Sequence, residues 1–332
     1  MSTDKSNHIV TSLPVRFQGA MRIGELLSRI FDIDKELLGK MILAKSIGMI
    51  AGPRGGGKSW LALLISYSVS AGKCLDPWGI GGGVPVAYLD GEMRAAGLQE
   101  RFRLIHAGNT KDGSIATVQR NLYIISRDSI GSTIGSIDTE EGQASIDALI
   151  PTKVMLIVID NLSAWTSGGR EDSSSWAAIK NWLIMKRVQG VAVLLIHHAG
   201  KNGQQRGSSA HEDLLDYSIL LSPLPSNPER KDTRFMVEHT KLRDYIPELR
   251  QRYEYSVWTK DGALSFECVP VGFAISEKVA EMARLHENGN GLSYEEIGKH
   301  FVVSKSTVSR ALKKLRDQRS ANGDGDGEEV AA

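Results

Sequence analysis

Eight consecutive residues, Gly52-Pro53-Arg54-Gly55-Gly56-Gly57-Lys58-Ser59, have the G-x-x-x-x-G-K-[ST] spacing of a phosphate-binding loop. Glycines let backbone N–H groups turn inward onto phosphate oxygens. A helix beginning at the end of the loop adds partial positive charge. Lys58 can reach the β- and γ-phosphates, the Ser59 hydroxyl can ligate Mg²⁺, and Trp60 directly follows as part of the same site. Binding of ATP with Mg²⁺ is the expectation. Hydrolysis needs a further metal partner and a group that positions the attacking water. The apolar run Val154–Ile159 ends in Asp160, a carboxylate placed to face the metal directly or through water. The run from Val84 to Leu89 leads into Asp90-Gly91-Glu92. A carboxylate at such a strand end sits at the ligand-binding edge of a parallel sheet. Glu92 is preferred for polarising the water, with Asp90 its competitor. Leu194-Leu195-Ile196 leads into His197-His198, and His198 can hydrogen-bond the γ-phosphate. Neighbouring strand residues point to opposite faces, so the two rings make a poor metal chelate.

These groups need strands to carry them to one edge. Strands are predicted at 46–51, 84–90, 122–126, 154–160, 191–197 and 217–222, and helices at 58–71, 94–107, 140–149 and 174–188. Gly72 is placed to end the helix that follows the loop. Strands separated by helices predict a mainly parallel sheet covered on both faces. Runs at 234–243, 252–259 and 263–269 then follow without intervening helices, which predicts an antiparallel extension with a hairpin turn at Gly262. Before the first strand, Leu26, Leu27, Ile30, Phe31, Leu37 and Leu38 fall at helical spacing, so a helical lead-in over 21–40 is predicted.

The set Gly52–Ser59, Asp90-Gly91-Glu92, Ile159-Asp160-Asn161-Leu162 and His197-His198-Ala199-Gly200-Lys201, followed by Arg206-Gly207-Ser208-Ser209, resembles the RecA-like ATPases of the hexameric replicative-helicase group. That group is of RepA type and related to the DnaB ring helicases. The resemblance covers roughly residues 20–260. It implies a homo-oligomeric ring, usually a hexamer, with ATP between neighbouring subunits and single-stranded DNA in the central channel. By position it implies that Glu92 is the catalytic glutamate, Asp160 the metal-facing aspartate and His198 the γ-phosphate sensor. In Phe235–Arg243, strand periodicity puts Lys241 and Arg243 on one face. The pair resembles the Lys/Arg finger that these ATPases insert into the next subunit's site. The group places its channel-facing DNA loops after Asp160 and after His198. Arg170, Lys201 and Arg206 are then candidates for phosphate contacts, Arg206 being open between DNA and nucleotide.

Beyond Pro270, helices are predicted at 275–288, 293–300 and 304–318. Leu292 to Leu315 reads as a helix–turn–helix, capped by Ser293 with Glu296 and by Ser304, around Ile297, Val303, Val308 and Leu312. Six Lys and Arg against Asp317 alone, over 304–319, suit a duplex-DNA partner. A recognition helix would put Lys305, Ser306, Thr307, Arg310 and Lys313 at bases or phosphates.

The expected organisation is a flexible segment 1–20, a RecA-like ATPase domain 21–270, a small all-α, winged-type helix–turn–helix domain 271–319 and an acidic tail 320–332. A net charge of +1 leaves the choice of partner to local patches, and two cysteines, Cys74 and Cys268, make neither a disulfide framework nor a zinc site. No apolar run reaches the roughly 18 residues of a membrane span, so no membrane partner and a cytoplasmic location are expected. The leading function is an ATP-driven ring motor on DNA, a replicative helicase of a plasmid or other mobile element. The alternatives are an ATP-switched DNA-binding regulator and a helicase loader or recombination ATPase.

Overall fold

The computed structural model describes residues 20–30, 33–109, 115–131, 134–167, 173–198, 213–244, 246–271, 277–287, 291–301 and 303–321. The chain divides into two units, 1–34 and 35–332. The first holds one short helix, α1 (Ile23–Ser28), which buries none of its residues.

The second unit begins with a small hairpin, β1 (Glu36–Leu38) and β2 (Ile42–Leu43), followed by β3 (Ile47–Gly52) and α2 (Lys58–Ala71). A second small hairpin, β4 (Cys74–Leu75) and β5 (Gly79–Ile80), precedes β6 (Val86–Asp90), α3 (Ala95–Ala107), α4 (Ile115–Asn121), β7 (Leu122–Ser126), α5 (Arg127–Ile130) and α6 (Glu140–Leu149). Then come β8 (Leu156–Asp160), α7 (Ser173–Val188), β9 (Ala192–His198) and β10 (Tyr217–Leu224). Strands β11 (Thr233–Leu242), β12 (Arg252–Lys260) and β13 (Ala263–Val271) close the sheet, and α8 (Glu277–Glu287), α9 (Tyr294–Phe301) and α10 (Lys305–Ala321) follow.

The nine-stranded sheet has the order β13-β12-β11-β10-β3-β9-β8-β6-β7. From β10 to β7 every neighbour is parallel, and β11, β12 and β13 extend the sheet antiparallel. This is the α/β arrangement, a mainly parallel sheet with an antiparallel extension, expected from the alternation of strands and helices. Strands β3, β6 and β8 are buried at every position, the continuous apolar pattern of a sheet covered on both faces. One core cluster joins α2 and α3 to one face, and a second joins α6 and α7 to the other. Gly72 ends α2 at φ 75°, its N–H bonded to the Ser68 carbonyl. Asp261 and Gly262, at φ 52° and 75°, turn β12 into β13, as a tight hairpin requires.

The predicted lead-in helix is mostly absent. Among the described residues of that span only Ile23–Ser28 is helical, and Leu37 and Leu38 lie in β1, fully buried in the core. Their spacing is met by burial against α2, and Gly39 at φ 45° turns the chain back. The short helices α4 and α5 were not foreseen.

The last three helices enclose a small core of their own, including Met282, Ile297, Val308, Leu312 and Leu315. Ser293 and Glu296 form the reciprocal cap: Ser293 N–H donates to Glu296 Oε2 (2.8 Å), and Glu296 N–H donates to Ser293 Oγ (3.3 Å). Ser304 Oγ accepts from the Thr307 N–H (3.2 Å) at the start of α10.

Candidate nucleotide site

Strand β3 ends at Gly52 and α2 begins at Lys58, so the glycine loop joins the central strand to a buried helix. Gly55 and Gly57 have φ of 73° and 86°, a region that side chains disfavour. A Cβ on Gly57 would also stand 2.2 Å from the ring of Phe235 on β11. Phe235, fully buried, is thus the floor of the loop. Lys58 is 5% exposed, and its Nζ donates to the carbonyls of Gly52 (2.9 Å) and Pro53 (2.7 Å). Burial holds its pKa below the ordinary lysine value, although the Asp160 and Glu92 carboxylates oppose the shift.

Strands β9, β8 and β6 lie side by side next to β3, with their C-terminal ends at the loop. They deliver His198, Asp160 and the Asp90–Glu92 turn to one edge. Tyr88 Oη donates to Asp160 Oδ2 (2.6 Å), and the Ser59 hydroxyl is a polar neighbour of this carboxylate. Burial still raises the Asp160 pKa, so a cation beside Ser59 and Asp160 would be favoured there.

Asp90 and Glu92 differ sharply. Asp90 is 1% exposed; its Oδ2 accepts from the Met93 N–H (3.0 Å) and its Oδ1 is buried with no hydrogen-bond partner among the described residues. The side chain of Glu92 is 51% exposed and lines the cavity over the loop. Gly91 makes the turn between them possible, since a Cβ there would lie 2.5 Å from the Ala164 methyl. Burial would raise the Glu92 pKa, but the neighbouring polar groups of Asn161 and His198 outweigh it and hold the carboxylate below its ordinary range. His198 is kept neutral, its pKa lowered by burial and then by Lys58.

Burial and then the neighbouring Asp160 push the Asp90 pKa up to about 7. A carboxyl whose folded pKa is raised favours the fold while protonated, and that contribution is lost as pH rises from about 4 to about 7. Asp90→Asn should therefore gain stability over the parent as pH rises. In EDTA without nucleotide, the difference between pH 5 and pH 8 is expected to be about 1–3 kcal/mol. Urea unfolding at both pH values checks it; parallel behaviour of the two proteins contradicts it.

The cavity over the loop has a volume of about 720 Å³, a size that suits a bound nucleotide. Two of its lining residues, Arg101 on α3 and Thr233 on β11, were not foreseen. The Arg101 guanidinium lies 4.7 Å from the centre of the Trp60 ring. Nothing in the local sequence marks Arg101; only the packing of α3 brings it to the loop. The left-handed glycines, the half-lined cavity and the Ser59–Asp160 pair fit a triphosphate with a divalent cation. A second cavity of about 610 Å³, between α3, α4 and β7, is mostly apolar and no carboxylate lines it.

Lys241 and Arg243 stand elsewhere. Leu242 and Gly48 both pair with Tyr217, near the start of β3, whereas the loop leaves β3 at Gly52. The two cations are therefore at the opposite end of the sheet from the loop of their own chain. A bulge between Ser218 and Ile219 leaves both residues beyond the irregularity. Arg243 Nε pairs with Asp216 Oδ1 (3.1 Å), and Asp216 Oδ2 also holds Arg187 (2.5 Å) and the Ile47 N–H (2.8 Å). Arg170, Lys201 and Arg206 lie outside the described residues. Lys305, Ser306, Thr307, Arg310 and Lys313 are all exposed on α10. Among the described residues no helix is long and apolar enough to cross a membrane.

A family model described as an AAA domain matches residues 17–204. No curated protein matches. Among solved structures, a KaiC-like protein from the archaeon Pyrococcus horikoshii OT3 superposes with a TM-score of 0.48 at 14% identity, covering 72% of this chain and 99% of its own. The flagellar accessory protein FlaH from Methanocaldococcus jannaschii gives 0.48 at 13% identity, covering 71% and 97%.

Proposed function

Because the chain belongs to the AAA domain family, matched over more than half its length, we propose that this ATPase is a ring-forming motor on DNA of the replicative-helicase kind, using ATP with Mg²⁺. One observation carries the reading. The loop, Glu92 and His198 stand at one end of the sheet, and the paired cations Lys241 and Arg243 stand at the other. A cation so placed is far from its own chain's site, and the site it would reach is a neighbour's. A nucleotide gripped between protomers, with an arginine delivered in trans, is the chemistry this separation supports. In a ring of such protomers, the strand ends at Asp160 and His198 would lead into channel loops bearing Arg170, Lys201 and Arg206. Within the proposed helix–turn–helix, the exposed face of α10 with Lys305, Ser306, Thr307, Arg310 and Lys313 suits the major groove of a duplex. A replication protein of a plasmid or other mobile element would combine these two parts.

Unwinding of a forked duplex, followed by fluorescence with ATP and Mg²⁺, tests the reading. Lys58→Ala should abolish unwinding, since the variant loses the ammonium that meets the phosphates. A parent that hydrolyses ATP at one rate with and without single-stranded DNA, and never separates strands, would favour a switch protein over a motor.

A further inference from the structure

We infer that Asn161 is a positioning residue, fixing the tautomer of His198 and so denying the nearby Glu92 carboxylate a hydrogen bond from that ring. The inference rests on the reading of Glu92 as the group that orients the attacking water. Asn161 directly follows Asp160 and is 1% exposed. Its Oδ1 accepts from the Ala164 N–H (3.0 Å) and from Ser163 Oγ (2.8 Å), capping the short 3₁₀ turn Leu162–Trp165. Both lone pairs of the amide oxygen are then used. The orientation of the amide follows from that, and its NH₂ must face the cavity.

One hydrogen on Nδ2 has an acceptor in His198 Nε2, 2.8 Å away. A nitrogen that accepts from an amide cannot also donate. His198 is therefore a neutral imidazole with its proton on Nδ1, in keeping with a ring buried beside Lys58. Glu92 Oε1 lies 3.4 Å from the same Nε2. With Nε2 as an acceptor, that approach is neither an ion pair nor a hydrogen bond.

Three adjacent strand ends meet here: β6 through Glu92, β8 through Asn161 and β9 through His198. By occupying Nε2, Asn161 stops His198 from donating to the Glu92 carboxylate, which stays at the cavity. The arrangement has a sequence signal, an Asx residue after a strand with a serine two positions on, but that signal marks only the cap.

Asn161→Ser separates positioning from capping. It retains an oxygen that can cap the turn and loses the amide N–H. The variant should keep the parent's unfolding temperature and its KM for ATP, while kcat falls about 10- to 100-fold. If capping is all that Asn161 does, the variant will turn over like the parent, and the inference is wrong. A second readout is independent of turnover. In protein labelled with ¹⁵N-histidine, with His198 assigned through His198→Gln, the parent should show the Nδ1–H tautomer, and Asn161→Ser should shift it toward Nε2–H or the imidazolium. A parent with the proton on Nε2, or a tautomer that ignores the substitution, overturns the inference. If Glu92→Gln turns over normally while the tautomer shifts as expected, the catalytic reading of Glu92 fails and the link between Asn161 and His198 stands.

Discussion

Arg243→Ala should lower the DNA-stimulated ATPase rate by about 10³–10⁵-fold, the range known for arginines supplied to a transferring phosphoryl group. Binding of ATP by the isolated protomer should barely change, because Arg243 lies at the far end of its own sheet. The cost to folding should be small. The Arg243 side chain is 52% exposed, and Asp216 keeps Arg187 and the Ile47 N–H as partners. Half-exposed ion pairs contribute about 0–1 kcal/mol. A mixing experiment makes the result specific. Lys58→Ala and Arg243→Ala should each be inactive alone, but in a shared assembly of the proposed kind a Lys58→Ala protomer would offer its intact Arg243 to the intact loop of its neighbour. Mixed assemblies should recover part of the parent's rate. A lone Arg243→Ala protein as fast as the parent would remove the case for a site shared between copies.

Glu92→Gln should lower kcat about 10²–10⁴-fold, the contribution typical of a positioned acid or base. The amide keeps the shape and loses the charge, so KM for ATP should move little. Single-turnover hydrolysis with fluorescent nucleotide separates binding from chemistry. Asp90→Asn should retain most of the turnover, because Asp90 is buried against the Met93 N–H and does not line the cavity. The reverse ranking of the two variants would assign the water to Asp90.

The parts of the site that sequence alone can locate are those bound to the chain by local rules. A glycine loop must follow a strand and open a helix, so Gly52–Ser59 could be placed directly. Asp160, Glu92 and His198 end apolar runs, and in a parallel sheet such ends share one edge. Boundaries then moved by only a residue or two, as at Val86 and Leu156. What escaped depends on distant packing. Arg101 meets Trp60 only because α3 lies against α2. Tyr88 reaches Asp160 only because β6 and β8 are adjacent. The role of Asn161 needed the register of three strands. Leu37 and Leu38 misled because helical spacing and burial in a short hairpin produce the same pattern over so few residues.

The ring of Phe235 beneath Gly57 limits how far this protein can be trimmed. Phe235 stacks on Tyr255 at 5.6 Å, and Tyr255 stacks in turn on Trp78 and Phe266. The phosphate loop thus rests on side chains contributed by strands that come almost two hundred residues later. A fragment cut at residue 204, where the family match ends, lacks both β10, which covers β3, and the aromatic floor. A piece made to grip a nucleotide is therefore expected to need the chain through Val271, well past the end of the family match.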